Sequence, residues 1–221
     1  MTAYSHERAR AGSHPDIAAW IRAWLAARSA SRGLPAPVDD AGGYRVDVNA
    51  PDEVRRWVFP RVCPAVTALA QGLAQPRHFI KACAAPEHLL AALPSAWRIA
   101  APGYFMQGPG RLPLLRPVPG YRCERHVESG LSQVRILSES GELAASGHAA
   151  ETAGVFIYDR IITEPAHQRR GLGRFLMHEL GTCKRDAQAP ELLVATEQGR
   201  TLYEALGWTV LSPFSTAFLP D

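Results

Sequence analysis

The sequence predicts an α+β fold, a mixed sheet flanked by helices and preceded by an α/β N-terminal part. Three features carry that expectation. Residues 121–163 contain four apolar or alternating runs separated by short polar turns, the pattern of adjacent antiparallel strands. The last of these runs leads through a glycine-bearing turn into an amphipathic segment. A further apolar run, Leu192–Thr196, follows that helix and can lie parallel to the strand before it.

Taken in order, Asp16 to Arg28 reads as a helix, because Ile17, Trp20, Ile21, Trp24 and Leu25 recur at helical spacing on one stripe. Tyr44 to Val48 alternates like a short strand, and Pro51 is placed to open a helix through Trp57. Val62 to Gln75 reads as a helix, Phe79 to Ala84 as a strand, Pro86 to Leu93 as a short helix, and Arg98 to Met106 as a strand. Farther on, Tyr121–Val127 and Gln133–Leu137 are strands, and Glu139–Glu142 turns the chain into a strand over Leu143–Glu151. Val155–Thr163 is β-branched enough for a central strand. The helix from Gly171 to about Asp186 places Leu172, Phe175, Leu176, Leu180 and Cys183 on one face. Leu192–Thr196, a short helix over Gly199–Leu206 and strands beginning at Trp208 complete the order.

Gly108 to Gly120 holds four prolines and three glycines, a stretch that supports neither helix nor central strand. It divides the chain into residues 1–116 and 117–221. The two parts echo one another: strand, helix with paired leucines, tryptophan and aromatic strand occur at Phe79–Phe105 and again at Leu192–Phe218. A degenerate internal duplication is one reading of that echo.

With 47% hydrophobic and 20% charged residues, the composition is that of a globular protein. A net charge of +3 is too small to indicate a nucleic-acid partner. Cys63, Cys83, Cys123 and Cys183 show neither zinc spacing nor a CxxC pair, so they read as scattered thiols, with no metal expected. Met1–Pro15 is polar and lacks a signal-type apolar stretch, and Ile17–Ala27 is too short to cross a bilayer. The expectation is a cytoplasmic protein without a membrane partner; a homodimer is among the states left open.

The segment richest in chemistry is Gln168-Arg169-Arg170-Gly171-Leu172-Gly173. Its glycines allow close backbone approach, and the helix that follows adds unpaired N–H groups and a partial positive charge, so a phosphate is the natural ligand. Arg169, Arg170 and Arg174 can add charge-assisted contacts. A P-loop would need Lys-Ser/Thr where Arg174-Phe175 stands, and a dinucleotide fingerprint would need Gly or Ala at Leu176. On the loop alone, a tight strand-to-helix turn with a solvated basic edge is the plain alternative.

With its flanks, the loop resembles the GNAT superfamily of acyl-CoA-dependent N-acetyltransferases. That family's phosphate loop reads Gln/Arg-x-x-Gly-x-Gly/Ala. Ile161-Ile162-Thr163-Glu164-Pro165 is similar to the end of its fourth strand, and Gly199 to Trp208 is similar to its later helix with Leu202-Tyr203 and Gly207-Trp208. The resemblance covers about residues 121–221. It departs from the family where two acceptor-site helices are usual, since only Glu128–Ser132 separates the first two strands there.

The resemblance implies that an amine, on a small molecule or a protein, attacks the thioester of acetyl-CoA directly. It implies that Ile161, Ile162 and Thr163 pair with the pantetheine arm, with an N–H of Ile162 or Thr163 polarising the thioester carbonyl. Gln168, Arg169, Arg170, Gly171, Leu172, Gly173 and Arg174 would hold the pyrophosphate. Tyr203 matches the family's general acid, the alternative being a core or rim tyrosine. Asp159 stands where relatives carry an acidic residue and is the candidate base, the alternative being a carboxylate paired with Arg160 or Arg135. His148 and Glu151 are reserves for that role. Ile157 replaces an acidic residue found in some protein acetyltransferases, and Thr196-Glu197-Gln198 replaces an asparagine that touches pantetheine. The other function compatible with the same site is a non-catalytic acyl-CoA-binding sensor.

Overall fold

Asp16 sets the first helix: its carboxylate accepts hydrogen bonds from the N–H groups of Ala18 at 3.0 Å and Ala19 at 3.3 Å. The computed structural model describes residues 16–110 and 115–220. The polar start Met1–Pro15 and residues 111–114 of the Pro/Gly connector lie outside them; residues 108–110 and 115–120 form neither helix nor strand, as their composition requires. Helix α1 (Ile17–Ser31) buries Ile21, Trp24, Leu25 and Ala27. Side chains of the size of Ile21 and Leu25 each contribute about 1.5–3 kcal/mol on full burial.

Strands β1 (Val38–Asp40) and β2 (Gly43–Asp47) form a hairpin whose two turn residues, Ala41 and Gly42, both have positive φ. The helix expected from Pro51 to Trp57 is instead a turn followed by β3 (Arg55–Phe59). Pairing decides the matter: β3 is antiparallel to β2 and parallel to β4 (His78–Ala82), and its residues are buried on both faces. Between β3 and β4 lies α2 (Pro64–Gly72), and α3 (Pro86–Ala91) follows. The single strand expected over Arg98–Met106 is divided into β5 (Arg98–Ile99) and β6 (Gly103–Gln107). Pro102, which has no N–H to give a ladder, sits in the gap.

The later strands follow the sequence closely: β7 (Tyr121–Glu128), β8 (Leu131–Ser138), β9 (Leu143–Thr152) and β10 (Val155–Thr163) form an antiparallel meander. Helix α4 (Leu172–Gly181) stops before the expected Asp186. The Glu151 carboxylate accepts hydrogen bonds from the N–H groups of Arg185 and Asp186, both at 2.7 Å, and draws the chain out of the helix. Strand β11 (Glu191–Thr196), helix α5 (Glu197–Glu204) and strand β12 (Thr209–Phe218) complete the chain.

All the strands form one sheet in the order β1-β2-β3-β4-β12-β6-β11-β10-β9-β8-β7, with β5 also on β12. The centre is an exchange: β12 lies between β4 and β6, while β6 lies between β12 and β11. Strand–helix–strand–helix–strand β3-α2-β4-α3-β6 thus has the order of β10-α4-β11-α5-β12, and each last strand sits against the other half. Helices α2 and α3 pack over Trp57, Phe59, Ile80 and Trp97, and α4 and α5 over Met106, Phe156, Tyr158 and Trp208. Helix α1 covers the opposite face, over Val58, Phe105, Ile157, Leu192 and Phe214. No helix among the described residues is long and apolar enough to cross a membrane.

Candidate active site

Strands β10 and β11 are parallel neighbours for only two pairs, Phe156–Glu191 and Ile157–Leu192. Beyond them the strands part. The edge of β10 from Tyr158 to Thr163 then has no strand beside it among the described residues, while β11 continues along β6 from Leu192 to Thr196. Part of the reason is a bulge in β10. Asp159 pairs with His148 and Ile162 with Ser146, leaving Arg160 and Ile161 opposite Gly147 alone. Arg160 has a left-handed φ of 53°, a strained state for a side chain with a Cβ. It is held there by its guanidinium, which donates to the Ser31 carbonyl at 2.6 Å.

The wedge opens into a cavity of about 860 Å³. Ile161, Ile162 and Thr163 line one wall, Leu193 to Thr196 another, and Gln168, Arg169, Gly171, Leu172, Gly173 and Arg174 one end. At that end Gly171 has φ 81° with open space where a Cβ would stand, and a Cβ on Gly173 would lie 3.0 Å from Leu202 Cδ2. The loop therefore needs glycine for backbone conformation at the first position and for close packing at the second. No side chain caps α4, so its first N–H groups are free to meet an anion. Gln168 braces the turn by donating to the Thr163 carbonyl at 3.2 Å. Arg170 turns away from the cavity, donating to the Tyr121 hydroxyl and the Ala166 carbonyl. These contacts brace the loop from behind.

Tyr203 lines the cavity from α5, 7% exposed, its ring against Trp208 at a centroid distance of 5.9 Å. Burial pushes its phenol up to about 12, so it is neutral across the physiological range. Thr196 caps α5 by accepting from the Gly199 N–H, and Gln198 also lines the cavity.

Asp159 is paired, the alternative that the sequence left open. Arg32 Nε and Nη2 each donate to one of its oxygens at 2.7 Å, and Arg160 and Arg28 lie at 3.5 and 3.8 Å. Arg135 instead meets Glu124. Both of its carboxylate oxygens are thus taken up by arginine. Of the reserves, Glu151 holds the Arg185-Asp186 turn, and His148 lies opposite Asp159, outside the cavity lining, its pKa lowered by burial and by Arg160.

Helix α1 contributes Trp24, Leu25, Arg28 and Arg32 to the cavity, and β3 and β4 contribute Arg56, Val58 and Lys81. The N-terminal part thus forms one wall of the cavity. Sequence reading missed these cations because each lies far from the loop in the chain. Helical spacing of Arg28 and Arg32 beside Trp24 was the available signal. Trp20 packs at the core beside α1, and Trp57 and Trp97 belong to the core under α2 and α3.

Residues 131–210 match the family model for the acetyltransferase (GNAT) domain. The chain has the fold of that class, an α+β mixed sheet flanked by helices. Among solved structures it resembles a GCN5-related N-acetyltransferase from Kribbella flavida, at 14% identity over 93% of this chain and 96% of that one, TM-score 0.64. A GCN5-related N-acetyltransferase from Sphaerobacter thermophilus is similar over 93% of both chains, at 12% identity and TM-score 0.56. A GCN5-related N-acetyltransferase-like protein from Streptococcus suis is similar at 11% identity over 83% and 87%, also with TM-score 0.56. Curated proteins give no sequence match. The domain match and the shared fold are the two points of similarity to acetyltransferases.

Proposed function

We propose that this protein transfers an acetyl group from acetyl-CoA to an amine. The observation that carries this reading is the continuity of the open β10 edge with the uncapped N-terminus of α4. One supplies backbone N–H and C=O groups for an extended arm, the other donors for a pyrophosphate. In the wedge, the amine nitrogen forms a bond to the thioester carbonyl carbon as the C–S bond breaks. An N–H of Ile162 or Thr163 steadies the developing oxyanion. Tyr203 holds the proton that the departing sulfur takes up. We assign Asp159 to holding the arginines in place, with the amine's proton leaving through cavity water. The N-terminal half reads as a degenerate copy turned into the acceptor wall. Its β3 and β4 stay paired over five residue pairs with no wedge between them.

Calorimetric titration of acetyl-CoA into the wild type and Gly171→Asp tests the donor site. The wild type is expected to bind and the variant to lose binding, because a carboxylate is then placed among the phosphate donors. Equal affinity in both proteins would sink the reading. Tyr203→Phe separates an enzyme, which loses turnover, from a sensor with none to lose.

A further inference from the structure

Resting on that acyltransferase reading, the α1 side of the cavity says what kind of amine enters. Five cationic side chains line it: Arg28 and Arg32 from α1, Arg56 from β3, Lys81 from β4 and Arg160 from the β10 bulge. Two carboxylates answer them. Asp159 is shared by Arg28, Arg32 and Arg160, and Glu53 lies 2.5 Å from Arg56 Nη2 and 3.8 Å from Lys81 Nζ. The group therefore carries three positive charges more than its own anions cancel.

Two of these cations are under-used by the protein. Arg56 is 3% exposed, and its Nε has no hydrogen-bond partner among the described residues. The Glu53 contact of Lys81 is longer than a hydrogen bond, and Lys81 lines the cavity with its Nζ 5.5 Å over the Phe79 ring. Gathering uncompensated cations, with Arg56 almost fully buried among them, is costly unless an anion completes the set. Arg56 and Lys81 stand on β3 and β4, whereas the Gln168–Arg174 loop, where the pyrophosphate is assigned, follows β10.

We propose that the acceptor is an amine that also bears an oxyanion group, a carboxylate or a phosphate, seated between Lys81 and Arg56 with Arg32 alongside. The anion anchors the acceptor on the N-terminal wall and leaves its nitrogen free to reach the wedge at Ile161–Thr163. A cationic or purely apolar amine finds no such anchor and meets repulsion. Burial lowers the Lys81 ammonium to about 8, with Glu53 opposing that fall and Arg56 and Arg32 adding to it. Asp159, Arg160 and His148 lie beyond these. A bound anion restores the proton, so acceptor affinity falls as the pH rises through 8.

The test compares matched amines in an acetyl-CoA turnover assay: phenylalanine with phenethylamine, alanine with ethylamine, and phosphoethanolamine with ethanolamine. The anionic member of at least one pair is expected to have the higher kcat/KM by about tenfold or more, and the responding pairs separate carboxylate from phosphate. Lys81→Met is expected to erase most of that ratio and Lys81→Arg to restore it. Ratios near one in every pair, or a ratio that Lys81→Met leaves unchanged, overturn the proposal. If calorimetry finds no acetyl-CoA binding, the acyltransferase reading has failed by itself. The anion site is then read directly by titrating phenylalanine and phosphoethanolamine into wild type and Lys81→Met. Binding confined to the wild type supports the site, and no binding to the wild type overturns it.

Discussion

Arg32 grips Asp159 with two parallel hydrogen bonds, joining the end of α1 to the bulge of β10 across 127 positions of chain. Arg32 is 28% exposed and Asp159 10%, so the pair is only partly shielded from water. Asp159→Asn is expected to lower the unfolding free energy by about 2 kcal/mol, because Arg28, Arg32 and Arg160 are left without their shared anion. Arg32→Met with Asp159→Asn should cost less than the sum of the two single changes. Urea unfolding of the four proteins measures this, and additivity within about 0.5 kcal/mol would show the pair uncoupled.

Tyr203→Phe is expected to keep the fold and acetyl-CoA affinity while kcat drops by about tenfold to a hundredfold. Burial is the sole cause of its raised phenol pKa, with no hydrogen-bond partner contributing, so the stability change should stay below about 1 kcal/mol. A kcat–pH profile with an alkaline limb near 8 or 9 that vanishes in this variant would contradict a phenol held at about 12.

Gly147 lies opposite the bulge, where a Cβ would stand 2.7 Å from Ile161 Cδ1 and 2.9 Å from Leu180 Cδ1. Gly147→Ala should therefore overpack the space between β9 and α4, costing about 1–2 kcal/mol. It should also weaken acetyl-CoA binding by moving Ile161. Thermal unfolding and calorimetry read the two effects, and an unchanged dissociation constant would detach the bulge from the site.

Lys81 gives stability a pH dependence of defined sign. Its folded-state pKa is about 8 against an ordinary 10.5, so between those values the unfolded chain binds a proton that the folded chain releases. Stability from this group thus rises with pH across the window and is lost as the pH falls through 8, with a slope of at most about 1.4 kcal/mol per pH unit. Lys81→Met should flatten the curve there. An identical slope in both proteins would mean that the lysine titrates normally.

What could be read from the sequence was local. Gln168–Gly173, the β10 run and the Leu202-Tyr203 helix each carry their structural signal within a few residues, and all three converge on one cavity. Helix α1 was visible through its apolar stripe and Asp16. The turn at Pro51 was not, since a proline that can start a helix can equally precede a strand, and only pairing of Arg55–Phe59 with β2 and β4 decides. The cationic side of the cavity was invisible for a related reason. Arg56 and Lys81 meet through the pairing of β3 with β4, and Arg32 reaches Asp159 only once α1 packs on the sheet; no spacing along the chain encodes either meeting.

The exchanged strands at the middle of the sheet set an order of events during synthesis. Strand β4 awaits β12, which leaves the ribosome after every other strand of the sheet. Until then the nascent N-terminal half exposes an unpaired edge at β4, and β6 has neither of its eventual neighbours before β11 is made and only one of them before β12. A chain halted anywhere before Thr209 therefore offers open strand edges to any other chain nearby.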